Sequence, residues 1–224
     1  MKRYILFSII LLTIISCKKE EDKDDLARVT ISTAEELIRT WIFSEYPDMN
    51  PESIFPVKEL TTEETWEKIQ SQVFIVTGDV LTNKPLLIKN KKVTDLGIYQ
   101  GLGAQEIKYI YITDLDKNNK YELSFLSTWG SGIMRTEINC YYEYLNSAIK
   151  RGDKAFYSGI QVVLKKENDE KLFIKLKTDT TIIGQIKIDT LSGNNELLLE
   201  LRDGLSNEIK NNIWYDYHKK LLEL

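Results

Sequence analysis

Histidine and cysteine are nearly missing from this 224-residue chain: His218 is the lone histidine, and Cys17 and Cys140 are the two cysteines. A zinc site assembled from thiolates and imidazoles therefore has too few donors, and any Ser-His-Asp triad has to recruit a residue seven from the carboxyl end. Positive charge is not in excess either. Thirty basic residues stand against 34 acidic ones, a formal charge of −4, which argues against nucleic acid as a partner because phosphate binding demands a basic face. Glycine-rich catalytic loops are lacking as well. Gly101-Leu102-Gly103-Ala104-Gln105-Glu106 leads into a strand pattern, so no helix N-terminus follows to hold phosphate. Around Ser131 the two positions that a nucleophile elbow fills with glycine carry Trp129 and Ile133. No self-similar period recurs, which leaves propellers and solenoids unsupported. Only one long apolar run exists, Tyr4–Ile15, and it is too short to cross a bilayer as a helix.

That run is nevertheless informative. Lys2 and Arg3 precede it, giving the charge-then-hydrophobe order of a secretory signal peptide. It ends Ile14-Ile15-Ser16-Cys17, aliphatic residues followed by a small residue and cysteine. This resembles the lipobox of bacterial lipoproteins, and the resemblance implies cleavage before Cys17, a diacylglycerol thioether on its sulfur and acylation of the new amino end. Each buried methylene contributes about 0.8 kcal/mol, so two or three chains on one cysteine make a permanent membrane anchor. Lipidation would consume Cys17 and leave Cys140 without a disulfide partner, in an alternating strand where it reads as a small buried hydrophobe.

Eight consecutive charged residues, Lys18–Asp25, follow the cysteine. Such a stretch buries too little apolar surface to offset its ordering entropy and reads as a flexible tether. Lysine and acidic residues just after the cysteine resemble the surface-export signal of Bacteroidota lipoproteins. That implies the outer face of the outer membrane, with a periplasmic orientation as the alternative. The organisation expected is a signal peptide at 1–16, a lipidated cysteine and tether at 17–30, and one globular domain at 31–224. Without Lys2 and Arg3 the processed chain carries a charge of −6. Hydrophobic residues make up 42% and aromatic residues 10%, enough for a core.

A helix is expected from Thr33 to Tyr46, with Ser32 and Glu35 as a capping box, Leu37, Ile38, Trp41 and Ile42 on one face, and Pro47 as its stop. Thr61 and Glu64 open a second, short helix that ends near Ser71, with Trp66 and Ile69 on its buried side. Strand patterns then run from Val73 to Ile188, through 73–77, 85–89, 107–112, 121–126, 133–145, 157–164, 172–178 and 182–188, joined by short polar turns that suit antiparallel neighbours. Ser206 caps a final helix expected to reach Leu222, with Leu205, Ile209, Ile213, Tyr217 and Leu221 as its stripe. The fold class is α+β: a mainly antiparallel sheet, barrel or sandwich-like, with helices at both chain ends.

One stretch carries chemistry. Asp114-Leu115-Asp116-Lys117-Asn118-Asn119-Lys120-Tyr121-Glu122 lies between two strands and places oxygen side chains at positions one, three, five and nine. With the Lys120 carbonyl at position seven, Asp114, Asp116, Asn118 and Glu122 can converge into the hard oxygen cage that Ca²⁺ takes. The loop resembles the calcium loops of dockerins and of FG-GAP repeats, and Tyr121-Glu122-Leu123 resembles the strand that leaves them. It departs from those families at Asn119, where they have glycine, and at the neutral Asn118. The competing reading is a polar hairpin turn whose Asp and Asn residues serve backbone geometry. Trp129, in a glycine-flanked turn, and Tyr142, in the Tyr141-Tyr142-Tyr144 cluster, are candidate ligand contacts. The function these features support is a non-enzymatic binding or interaction module on a lipid anchor, calcium-stabilised, with an unidentified protein or glycan partner. A carboxylate-based glycan hydrolase, using Glu122, Glu137 or Glu143, and a protective, immunity-type lipoprotein are the alternatives.

Overall fold

A computed structural model describes residues 27–53, 55–78, 83–96, 106–129, 135–142, 147–148, 157–158, 161–191 and 195–214. The lipobox cysteine, the charged 18–25 stretch and His218 lie outside these residues, whereas 27–30, expected as the end of the tether, are described, and Val29 exchanges backbone hydrogen bonds with the Gln72 side chain. The fold is α+β and sandwich-like, built on three antiparallel sheets. Sheet A has the order β1-β2-β3-β4, with β1 at Val57–Glu59, β2 at Gln72–Val76, β3 at Lys84–Lys89 and β4 at Lys92–Asp95. Sheet B runs β14-β9-β7-β6-β5, from Ile213–Trp214 through Tyr157–Ser158, Arg135–Tyr142 and Glu122–Trp129 to Glu106–Thr113, with the short β8 (Ser147–Ala148) also on β7. Sheet C is a meander of β10 (Val162–Asn168), β11 (Lys171–Leu176), β12 (Ile182–Asp189) and β13 (Glu196–Leu201).

The sheets stack as layers, and the pleat dictates which residues meet. Helix α1 (Ile31–Glu45) lays Ala34, Ile38 and Ile42 on Phe74, Val76, Leu86 and Ile88 of sheet A. The opposite side of β2 and β3, with Val73, Ile75 and Leu87, meets Leu123, Phe125 and Tyr141 of sheet B. The far face of sheet B, with Leu126, Ile138, Cys140 and Tyr142, meets Leu164, Leu172, Ile174, Ile186 and Leu199 of sheet C. Sheets A and B are thus covered on both faces, and β2 is buried at every position. That is why Gln72–Val76 reads as a continuous run while Val162–Asn168, at the outermost sheet, alternates. A bulge between Lys108 and Tyr111, with Tyr109 at φ 55°, turns Tyr109 and Tyr111 toward sheet C while Ile107 and Ile112 stay toward sheet A. Strict alternation along the strand would instead put Ile107 on one face with both tyrosines.

Four expectations shift. Helix α1 starts at Ile31, capped by Thr30, whose hydroxyl accepts from the Thr33 amide. Helix α2 spans Glu63–Ile69 under Thr62, buries Thr65 with Ile69 and leaves Trp66 half-exposed beneath the Arg28 guanidinium. Thr61 instead accepts from the Val73 amide. The run 157–164 is two strands in two sheets, because the chain passes from β9 in sheet B to β10 in sheet C. The final helix is shorter than its stripe suggested. Helix α3 covers Asn207–Asn212, with Ser206 as its cap, and Ile213 and Trp214 then pair with β9. Tyr217 and Leu221 lie outside the described residues.

Candidate metal centre

The loop 114–121 is the connection of the β5–β6 hairpin, and the last ladder pair, Thr113 with Glu122, brings its two ends together. Leu115, only 7% exposed, pins the loop into the core shared with sheet C. The backbone then curls around Asp114. Its Oδ1 accepts from the Asn118 amide at 2.9 Å and its Oδ2 from the Asn119 amide at 3.2 Å. Asp116 Oδ1 accepts from the Asn118 amide at 3.2 Å, and Asn118 Oδ1 from the Lys120 amide at 2.7 Å. Such a tight curl needs left-handed residues, and Lys117 (φ 59°) and Asn119 (φ 62°) supply them. Asparagine takes that region more readily than most side chains, so Asn119 can stand where glycine is usual.

Asp114, Asp116 and Glu122 each place a carboxylate oxygen within 4.8 Å of the others, a buried acidic triad that could hold a metal ion. Glu122 is fully buried. Its Oε2 accepts from the Leu115 amide at 3.0 Å and from the Thr113 hydroxyl at 3.2 Å, while its Oε1 has no hydrogen-bond partner among the described residues. Behind Thr113 the contacts continue to Ser124 (2.7 Å) and from Ser124 to the Cys140 sulfur (3.0 Å), a buried polar chain that ends on the carboxylate. Burial pushes the Glu122 carboxyl up from 4.5 to about 8, against the Leu115 amide and with help from the neighbouring Asp116 and Asp114 charges. Asp114 is also raised, by burial first and by Asp116, with the Asn119 and Asn118 amides opposing. An orphaned buried acceptor in an apolar setting costs about 1–3 kcal/mol, and more when charged. A divalent cation would supply the missing partner and cancel the mutual repulsion.

Of the residues picked from sequence, Asp114, Asp116 and Glu122 converge. Asn118 and Lys120 sit in the same curl but exposed, and Asn118 Oδ1 faces the Lys120 amide. Tyr142 is not part of an open aromatic surface. It is 1% exposed, lies opposite Glu122 in the β6–β7 ladder, and donates its hydroxyl to Asp116 Oδ2 at 2.8 Å. Tyr141 is buried on the other face, and Tyr144 lies outside the described residues. Trp129 ends β6 in backbone terms, and the glycine turn after it also lies outside them. Glu122 and Glu137 project from opposite faces of sheet B, since Glu137 pairs with Ser127, five residues from Glu122. They do not face each other across a cleft, and Glu143 is outside the described residues. Cys140 is buried, and that burial pushes its thiol up to about 12, against its contact with Ser124.

Two contributors had no signal in the loop itself. Tyr142 is placed by the β6–β7 register, and the turn between β10 and β11 reaches the loop from sheet C: Asp114 donates its amide to the Asp169 carbonyl at 2.7 Å. No family model, curated protein or solved structure matches the chain.

Proposed function

We propose that this chain is an envelope-anchored lipoprotein whose folded part is a non-enzymatic binding or interaction module stabilised by Ca²⁺ at the 114–122 loop. The observation that carries the metal half is the buried Glu122 Oε1, without a hydrogen-bond partner among the described residues, beside Asp114 and Asp116. All three groups are hard oxygen donors, the chemistry Ca²⁺ selects, and among the described residues no histidine or cysteine joins the cluster. Asp114, Asp116 and Glu122 would hold the ion, joined by Asn118 Oδ1 and the Lys120 carbonyl from the same curl. The ion would fix the hairpin and offset two of the three carboxylate charges. The anchor half rests on Cys17 at the end of the Tyr4–Ile15 run, and with the charged 18–25 segment as tether it supports a module held at the outer membrane, the outer face favoured over the periplasmic one. Trp129 remains a candidate contact for the protein or glycan partner.

Thermal melting of the purified full-length chain tests the metal: calcium raises the melting temperature above its value in chelator, and equal melting temperatures contradict the reading. Mass spectrometry of the membrane-extracted protein tests the anchor. A processed amino end at Cys17 carrying a diacylglyceryl group is expected, and an intact 1–16 segment contradicts it.

A further inference from the structure

The metal loop is held from outside as well as from within. The turn between β10 and β11, Asp169–Glu170, docks on it at two points: the Asp169 carbonyl accepts the Asp114 amide at 2.7 Å, and the Glu170 carboxylate lies 2.9 Å from Lys117 Nζ. Asp114 is a candidate ligand, and Lys117 is one of the two left-handed residues that close the curl. The Asp169 side chain faces the other way. Its carboxylate takes Lys68 of α2 at 2.5 Å and Lys166 of β10 at 2.7 Å, and Lys166 also contacts Glu64 of α2. One two-residue turn thus ties the loop in sheet B to sheet C and to the helix beside sheet A.

We propose that occupancy of the loop by calcium and docking of the β10–β11 turn are coupled, each strengthening the other, so that the metal acts as a clasp between sheets B and C. This rests on the calcium reading above. Without the ion, the crowded oxygens of Asp114, Asp116 and Glu122 favour opening of the loop. Opening moves the Asp114 amide and the Lys117 side chain, the two groups the turn needs. With the ion bound, both are fixed where Asp169 and Glu170 meet them. Linkage makes the effect reciprocal: whatever factor calcium adds to docking, docking adds to calcium affinity. The side-chain anchors of the turn are partly exposed ion pairs, each of modest strength. The coupling expected is therefore about three- to tenfold in affinity.

Two measurements on the full-length chain test it. Calorimetric titration compares wild type with the Asp169→Asn/Glu170→Gln double variant, which leaves every candidate ligand in place. A calcium affinity weaker by about three- to tenfold supports the coupling, and an unchanged affinity overturns it. Hydrogen exchange on the wild type asks the reverse question and needs no variant to fold. Calcium should slow exchange at amides 165–171, not only in 114–122. Binding with protection confined to the loop overturns the coupling and leaves the calcium reading standing. The absence of any calcium heat in the wild type overturns both.

Discussion

Replacing Glu122 by glutamine should stabilise the protein when calcium is absent and abolish its response when calcium is present. Glu122 is fully buried, and its carboxyl is raised from 4.5 to about 8 by that burial, with Asp116 and Asp114 adding to it. Because the folded value lies above the unfolded one, the folded protein keeps a proton that the unfolded chain releases between those two values. Metal-free stability must therefore fall as pH rises through that window. At pH 8 the ceiling on the cost is on the order of 4 kcal/mol, from about 1.36 kcal/mol per pH unit between 4.5 and about 8, less the part lost because the folded carboxyl is half titrated at the upper end. Glutamine keeps the shape and removes the charge. Its carbonyl can still accept from Leu115 and Thr113, and its amide can donate to an aspartate from the Oε1 position, which has no partner among the described residues. Allowing about 1–3 kcal/mol for imperfect pairing of that amide, the net gain at pH 8 in chelator should be about 1–3 kcal/mol. Near pH 5 the gain should shrink, because wild-type Glu122 is then protonated in the folded state. Calcium at ten to a hundred times its dissociation constant adds about 1.4–2.7 kcal/mol to the wild type and nothing to the variant, closing the gap. Urea unfolding at pH 5 and pH 8, with chelator and with calcium, reads all four values. A Glu122→Gln protein that is less stable than wild type at pH 8 in chelator, or that gains equally from calcium, refutes the reasoning.

Other consequences follow from the layers and their charges. Phe125→Ala removes a side chain that is 1% exposed between sheets A and B, and should cost about 3–5 kcal/mol in urea unfolding. Loss of under 1 kcal/mol would mean that the two sheets are not packed through it. The Cys140 thiol, raised to about 12 by burial, should react with a thiol reagent at neutral pH only after denaturation; prompt reaction of the native protein at this residue contradicts its place in the core. Burial pushes the Asp169 carboxyl up, but Lys166 and Lys68 outweigh it and hold it below its ordinary 3.8. Its contribution is complete above that value and is lost as pH falls through the lower folded one. Acid titration by nuclear magnetic resonance should find Asp169 ionised below pH 3.8, and a value above 3.8 would dissolve the bridge to Lys68 and Lys166.

Much of this was legible from residues alone. The pleat of Leu123, Phe125 and Leu126, the stop at Pro47 and the cap at Ser206 are local, so the sequence states them directly. The oxygen spacing of Asp114, Asp116 and Glu122 is local too, which is why those three converge as expected. Cap positions moved by one or two residues; at the first helix Thr30, Ser32 and Thr33 all offer hydroxyls within reach of one another, and it is Thr30 that accepts the Thr33 amide. What sequence left unseen is non-local. Tyr142 reaches Asp116 only because β6 and β7 pair in one register, and an off-register slip by one residue would send it to the other face. The Asp169 contact spans two sheets, and nothing near Asp114 encodes it. The shortened last helix has the same origin: Ile213 continues the helical stripe, yet pairing with β9 takes its backbone into sheet B.

Isothermal titration of the full-length chain with calcium, beside Glu122→Gln, bears most directly on the central claim. One saturable site with a dissociation constant on the order of 0.1–1 mM, the range of extracellular calcium modules, is expected in the wild type and not in the variant. Flat heats from both proteins up to roughly ten times that range, or identical isotherms, would contradict it.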